Sequence, residues 1–382
     1  MLCIKKLRRL LSQEIRFMIM TKIKSYDKAL NKFVDFVYPD IRKYVFPINF
    51  REEKEKFFKI ARYEPQFKYT APSLEKIKKA RASLLTIEKD SSPLGSLYGR
   101  KKEELELVAK SLSYLGQKKL FSFADQIYQK PSTALVREAY QEWSTREKTT
   151  PSSKSSRITV FEAQEKIKQV LLEHKIPWKT KISEKIISRG VVSYFKQILY
   201  LEKGTFFKDA KDLEGFIAHE VFGHIFRFEN GRRQPYGIFM IGFPGYLATE
   251  EGLASYNRLV CLDDVRKNEL RNNIALRVIA FDIAQKKSFR QTFLDLLDLT
   301  GKRSVSFGVT LRIKRGLCDT KQKGAFSKDT TYFRGLREVE DYLKKEDIAT
   351  LYSGRVSLDG LATVASLPDL KKPYHLPYEK KA

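Results

Sequence analysis

His219, Glu220 and His224 fall within six residues, inside the stretch Asp212-Leu-Glu-Gly-Phe-Ile-Ala-His-Glu-Val-Phe-Gly-His-Ile-Phe-Arg-Phe-Glu-Asn-Gly231. The chain of 382 residues has four histidines, and two of them flank a glutamate here. Imidazole nitrogens are metal ligands, and a carboxylate beside them can accept a proton, so the trio has parts for metal-assisted hydrolysis. Apolar Phe216, Ile217, Val221, Phe222, Ile225 and Phe226 recur at helical spacing, and Asn230-Gly231 reads as a helix stop. A helix carrying His-Glu-x-x-His puts both rings on one face, one turn apart, which is the zinc-binding spacing. Here the spacing is one residue longer, His-Glu-x-x-x-His. In a regular α-helix five residues advance about 500°, leaving the rings roughly 140° apart. A single π turn would bring them back together, and Gly223 is the residue best suited to tolerate it. The competing reading is a buried helix with two core histidines.

A second stretch weighs against that reading. Thr249-Glu-Glu-Gly-Leu-Ala-Ser-Tyr-Asn257 also reads as a helix start. One glutamate from it would complete a two-histidine, one-carboxylate zinc site with an open fourth position, the pattern of a catalytic zinc. Neighbouring helical residues point about 100° apart, so Glu250 and Glu251 are not both suited to the role.

The two stretches together resemble a known family. Glu251-Gly-Leu-Ala-Ser-Tyr is similar to the third-ligand helix of gluzincin peptidases. The combination with His-Glu-x-x-x-His resembles the bacterial QEGLA-motif proteins and their eukaryotic relatives, the microtubule-associated tyrosine carboxypeptidases. Glu250 stands where the bacterial motif has Gln, and the resemblance assigns the third ligand to Glu251. Further blocks carry the likeness from about residue 26 to 378. They include Phe46-Pro through Phe58, Arg62 to Tyr69, Leu115-Gly with Phe121, Tyr128 and Pro131, and Leu311-Arg-Ile-Lys-Arg-Gly316. Gly324-Ala-Phe-Ser-Lys-Asp-Thr-Thr-Tyr332 and Arg334-Gly335 complete the set, with Ser327 where the family has Thr.

The resemblance implies a zinc metallopeptidase that removes one C-terminal residue, by preference tyrosine or another aromatic. Zn2+ held by His219, His224 and Glu251 would leave one position for water and lower its pKa towards neutrality. Glu220, next to a ligand, is placed as the general base. A carboxypeptidase needs a cation for the terminal carboxylate, and Arg312, Arg315 and Lys328 are the candidates, with Tyr332 proposed to stabilise the oxyanion. Two rival readings come from other classes: a non-catalytic zinc-containing regulator, and a binder of acidic partners. The implied fold is α+β, mainly helical, with a zincin-like (gluzincin-type) catalytic core carrying a small mixed sheet.

The elements that must position these residues follow from pattern and composition. Residues 1–25 form a basic amphipathic extension, 26–148 an N-terminal helical region, 149–157 a Ser/Thr/Lys-rich loop or linker, and 158–382 the catalytic region. Asn49 is the expected N-cap of a helix entering Phe50–Phe58. Val191–Leu201 is rich in β-formers and is expected as a strand before the metal helix, either an interior strand or, as the likeness to zincin-type peptidases implies, a sheet edge that pairs with extended substrate. Gln234–Tyr246 is expected as a loop on the cleft floor, and His174 and His375 as structural residues.

The net charge of +27 favours acidic partners, here protein or peptide C-termini, acidic tails included. The basic residues are scattered, and no nucleic-acid-binding signature appears. Three dispersed cysteines, Cys3, Cys261 and Cys318, make neither a disulfide framework nor a thiolate zinc site. No run approaches the roughly 18 apolar residues of a membrane span. A cytoplasmic protein is expected, unless the first segment carries an export signal.

Overall fold

The computed structural model describes residues 2–38, 44, 46–145, 157–184, 186, 188–367 and 369–377, and side chains from residue 20 onward. The expected linker, apart from Arg157, lies outside them. The chain is mainly helical with small sheets. Helix α1 (Leu2–Val37) is followed by α2 (Phe50–Lys59), α3 (Leu74–Leu84), α4 (Pro93–Leu112), α5 (Lys119–Tyr128) and α6 (Thr133–Ser144). Short polar side chains start most of them. Ser73, Ser92 and Ser132 each accept from the backbone N–H three residues on, and Pro93 sits where its missing N–H costs nothing. Asn49 makes no such cap. Its Oδ1 accepts from Lys68 N (2.8 Å) and its Nδ2 donates to Gln66 O (2.8 Å), stapling the extended 62–69 segment to α2.

The second half opens with β1 (Ile158–Thr159) and α7 (Val160–Glu173), which starts in a capping box between Thr159 and Glu162. Strands β2 (Lys179–Ser183), β3 (Gly190–Ser193) and β4 (Ile198–Glu202) form a sheet of order β2-β4-β3, with β2 parallel and β3 antiparallel to β4. The run expected as one strand is therefore a hairpin. A 3-10 turn at Tyr194–Lys196 and left-handed Gln197 (φ 50°) reverse the chain between β3 and β4. Among the described residues strand β3 has a neighbour on one side only, and β5 (Phe206–Phe207) pairs with β1.

Next comes one helical rod, α8 (Ala210–Ile217), a π segment (Ala218–Ile225) and α9 (Phe226–Arg233). Asn230 and Gly231 lie within it rather than ending it. A Cβ on Gly231 would sit 2.3 Å from the Phe239 carbonyl oxygen, so close packing is what requires glycine there. After the short α10 (Ile238–Ile241) come α11 (Tyr246–Cys261), α12 (Asp264–Lys286), α13 (Phe289–Thr300), α14 (Arg303–Lys314), α15 (Thr331–Leu343) and α16 (Leu361–Ser366). The 234–246 stretch buries Tyr236, Ile238, Phe239, Ile241, Phe243 and Tyr246 in one core with Leu30 and Phe33 of α1 and Leu97 and Tyr98 of α4. A second core joins α7 and β4 to Val221, Ile225 and Leu253. No helix among the described residues is long and apolar enough to cross a membrane.

Helix α11 is held at very short range. A Cβ on Gly252 would lie 2.2 Å from the backbone of Gly335 in α15, and one on Gly335 would lie 1.8 Å from the Ala248 carbonyl oxygen. Backbone cannot swing aside as a side-chain tip can. Gly252→Ala is expected to cost about 1–3 kcal/mol of stability, seen as a lower denaturant midpoint at unchanged slope. An unchanged midpoint would mean that the crossing is not close-packed in solution.

Candidate metal centre and active site

The rod that carries the histidines starts at Asp209, whose side chain accepts from Asp212 N. Asp212 is itself held by Arg189 through two 3.0 Å contacts. The π segment then does what the spacing requires. Its bonds close on residues five apart, as where Phe226 N–H donates to Val221 O, so residues 219 and 224 restack on one face. The ring centroids of His219 and His224 are 5.0 Å apart at 85°. Gly223 serves packing here more than backbone freedom. A Cβ on it would meet Ala254 Cβ at 2.5 Å, so glycine lets α11 nest against the π segment.

That nesting brings Glu251 to the histidines. Its Oε2 lies 3.7 Å from both His219 Nε2 and His224 Nε2, and the three donor atoms are all within 4.8 Å of one another. Two ligands at 2.0–2.1 Å from a tetrahedral zinc would be about 3.3 Å apart, so small side-chain rotations close the set. Glu251 Oε2 is buried and has no hydrogen-bond partner, an orphan that a cation would satisfy. The donors thus fit a metal ion of zinc's preferences. Burial and the fields of His224, Arg258 and Arg277 push the His219 pKa well down. His224 goes the other way, up to about 9. Burial opposes this, but its bond to Glu250 and the charges of Glu251, Glu250 and Glu220 outweigh it. The two donor rings therefore sit in opposite fields: the acids around His224 favour positive charge there, and burial with the nearby arginines disfavours it at His219.

Glu220 stands beside the donors, half-buried, with its pKa raised chiefly by burial. It makes no hydrogen bond or ion pair among the described residues. A Cβ on Gly190 at the start of β3 would lie 3.4 Å from the Glu220 carboxyl carbon, so the edge strand passes close to this acid. Glu250 stays out of the donor set: it lies in a buried cluster with Arg227, Arg355 and Tyr194, and touches the triad only at His224 Nδ1, 3.4 Å away.

The proposed substrate contacts are placed unequally. Arg315 Nη2 is 2.7 Å from Asp329 Oδ1, and Arg312 Nη1 is 3.8 Å from Asp329 Oδ2. Burial would raise the Asp329 pKa, but Arg315 and Arg312 hold it well below the usual range, so both arginines face a fixed negative partner. Lys328 has no carboxylate within ion-pair distance among the described residues, and its pKa is lowered by burial and by Arg315. Tyr332 is near enough to Glu251 for its phenol to be held in the neutral form, by burial first and then by that charge.

Arg277, absent from the sequence-based candidates, lies with its guanidinium 4.1 Å over the Tyr332 ring. Its Nη1 is buried without a hydrogen-bond partner, and no carboxylate pairs with it among the described residues. No sequence signal singles it out, because it is one more basic residue in a long helical pattern. Arg334 donates to the carbonyls of Tyr128 and Gln129, a structural staple. His174 and His375 pack on Phe226, outside the donor set, and burial lowers the His375 pKa to about 4.

Comparison with known proteins places the chain in a family. The profile of the family described as microtubule-associated tyrosine carboxypeptidase matches residues 55–379. The chain is similar to mouse "Microtubule-associated tyrosine carboxypeptidase 1", 35% identical over 152 residues, which is 38% of this chain and 32% of that protein. It is also similar to human "Putative tyrosine carboxypeptidase MATCAP2", 31% identical over 172 residues, 43% of this chain and 32% of that protein. The matched part of the chain thus spans about a third of the length of these curated relatives.

Proposed function

The chain belongs to the microtubule-associated tyrosine carboxypeptidase family, and from that premise we propose that it is a zinc-dependent carboxypeptidase acting on protein or peptide C-termini. Tyrosine or another aromatic is the residue removed, a preference taken from the relatives' names. The observation that carries the reading is the convergence of His219, His224 and Glu251 Oε2 beside an unengaged Glu220. Zinc bound by these three residues would supply Lewis acidity and make a water acidic near neutral pH. Glu220 takes the proton from the attacking water and returns it to the leaving amine, a role for which a raised pKa is suited. Among the described residues Glu220 has no hydrogen bond or ion pair that would give it a structural task.

The substrate main chain would lie along β3, whose outer edge is unpaired by the sheet and which passes Glu220 at Gly190. This makes the catalytic region zincin-like. The terminal carboxylate is read by Arg277 and Lys328, which have no acid partner within ion-pair distance among the described residues, while Arg312 and Arg315 stay committed to Asp329. Tyr332, kept protonated, donates to the developing oxyanion. Acidic tails suit the +27 charge, and the cytoplasm is the compartment proposed.

The test is peptide turnover read by mass spectrometry. A peptide ending in free tyrosine should lose that one residue, its C-terminal amide should resist, and N-acetylation should change little. Arg277→Met should raise KM for the free acid by roughly thirty-fold or more, the lower end of the 2–5 kcal/mol cost of an unpaired buried charge. Cleavage of the amide at the rate of the acid would replace the exopeptidase with an endopeptidase.

A further inference from the structure

Glu250 is 1% exposed, and both carboxylate oxygens are engaged. Its Oε1 accepts from Tyr194 OH (2.6 Å) and Arg355 Nη2 (3.2 Å). Its Oε2 accepts from Arg355 Nε (3.1 Å) and Arg227 Nη1 (3.3 Å). The partners are themselves immobilised. Arg227 spends its other N–H groups on the carbonyls of Leu351, Gly354 and Val356. Arg355 lies between the rings of Tyr194 (3.9 Å) and Tyr246 (4.4 Å) and donates to Tyr246 OH (2.6 Å). Two arginines on one carboxylate fix its orientation and keep it charged.

This rigid carboxylate faces one metal-donor residue. His224 Nδ1 is 3.4 Å from Glu250 Oε1, while His224 Nε2 points to the other side, 3.7 Å from Glu251 Oε2. An acceptor-only carboxylate opposite Nδ1 favours a proton there, so that the Nε2 proton is the one a metal ion would displace. The Nδ1 atoms of His219 and His224 are both buried without a hydrogen bond of good geometry, but only His224 has a carboxylate opposite Nδ1 within ion-pair distance among the described residues. Adjacent glutamates on α11 thus divide the labour, since side chains about 100° apart point in separate directions.

We infer that Glu250, clamped by Arg355, Arg227 and Tyr194, is a positioning residue that holds the proton of His224 on Nδ1 and aims Nε2 at the metal position. The inference rests on the metal reading above, but its first test does not require zinc. In protein labelled with 15N-imidazole, His224 Nδ1 should carry a slowly exchanging proton in the metal-free state, and again after zinc loading. Zinc affinity, read by competition with a chromogenic chelator, should fall about ten- to hundred-fold in Glu250→Leu, the usual size for losing an outer-sphere partner. Glu250→Gln keeps an acceptor oxygen and should restore most of the affinity. An unprotonated Nδ1 in the folded metal-free protein would overturn the inference, as would a folded Leu variant with wild-type affinity. If the Leu variant does not fold, the wild-type Nδ1 measurement decides alone. Failure of the wild type to take up zinc would sink the metal reading, with the Nδ1 result standing apart.

Discussion

Alanine at His219, His224 or Glu251 is expected to remove close to one equivalent of zinc from the purified protein and to abolish peptide turnover with it. Each residue supplies one of three donors that sit within 4.8 Å of one another, and no fourth His, Cys, Asp or Glu joins them among the described residues. Losing an outer-sphere partner typically weakens a site by about ten- to hundred-fold, so losing a direct donor should exceed about a hundred-fold. Glu250→Ala belongs to the milder class and should keep measurable zinc at saturating metal. Metal analysis and turnover on the same preparations check this. Full zinc occupancy in Glu251→Ala, with loss in Glu250→Ala, would reverse the roles of the two glutamates.

Glu220→Gln should separate chemistry from binding. The amide has nearly the shape of the acid, and Glu220 has no hydrogen bond or ion pair to lose among the described residues, so fold and zinc content should stay at wild-type levels. An amide cannot take a proton from water, and general-base catalysis is worth about 10²–10⁴-fold, so kcat should fall by that factor with little change in KM. A variant that keeps wild-type kcat would remove Glu220 as the base and favour a regulatory role for the zinc helix.

Much of the site was legible in the chain because it depends on near neighbours. The five-residue spacing of His219 and His224 calls for a π turn if both are to share one ligand, and the rod has one at Ala218–Ile225. Apolar residues at helical intervals likewise announced a helical region over 26–148, where serine caps start α3, α4 and α6 through interactions a few residues in range. Local pattern misled where a distant partner competed. Asn49 has the form of a cap but bonds the 66–68 backbone instead, and Gly231 has the form of a stop but is required by the Phe239 carbonyl pressed against it. The strand expected over Val191–Leu201 folds back at Gln197 because pairing β3 with β4 satisfies the backbone of both.

What the chain by itself determined is the inventory: two histidines and a carboxylate able to share one ligand, a second carboxylate beside them, and a helical frame to carry them. The tertiary structure decided direction and availability. It turned Glu251 towards the histidines and Glu250 towards Arg227 and Arg355, through a helix seated by the Gly223–Ala254 and Gly252–Gly335 contacts. It also paired Arg312 and Arg315 with Asp329 and left Arg277 over Tyr332 with no acid partner among the described residues. A side chain's charge is set by its type, but whether that charge is free for a substrate depends on which opposite charge lies within a few ångströms. Such neighbours here come from segments tens to more than a hundred residues away, beyond the reach of any local pattern.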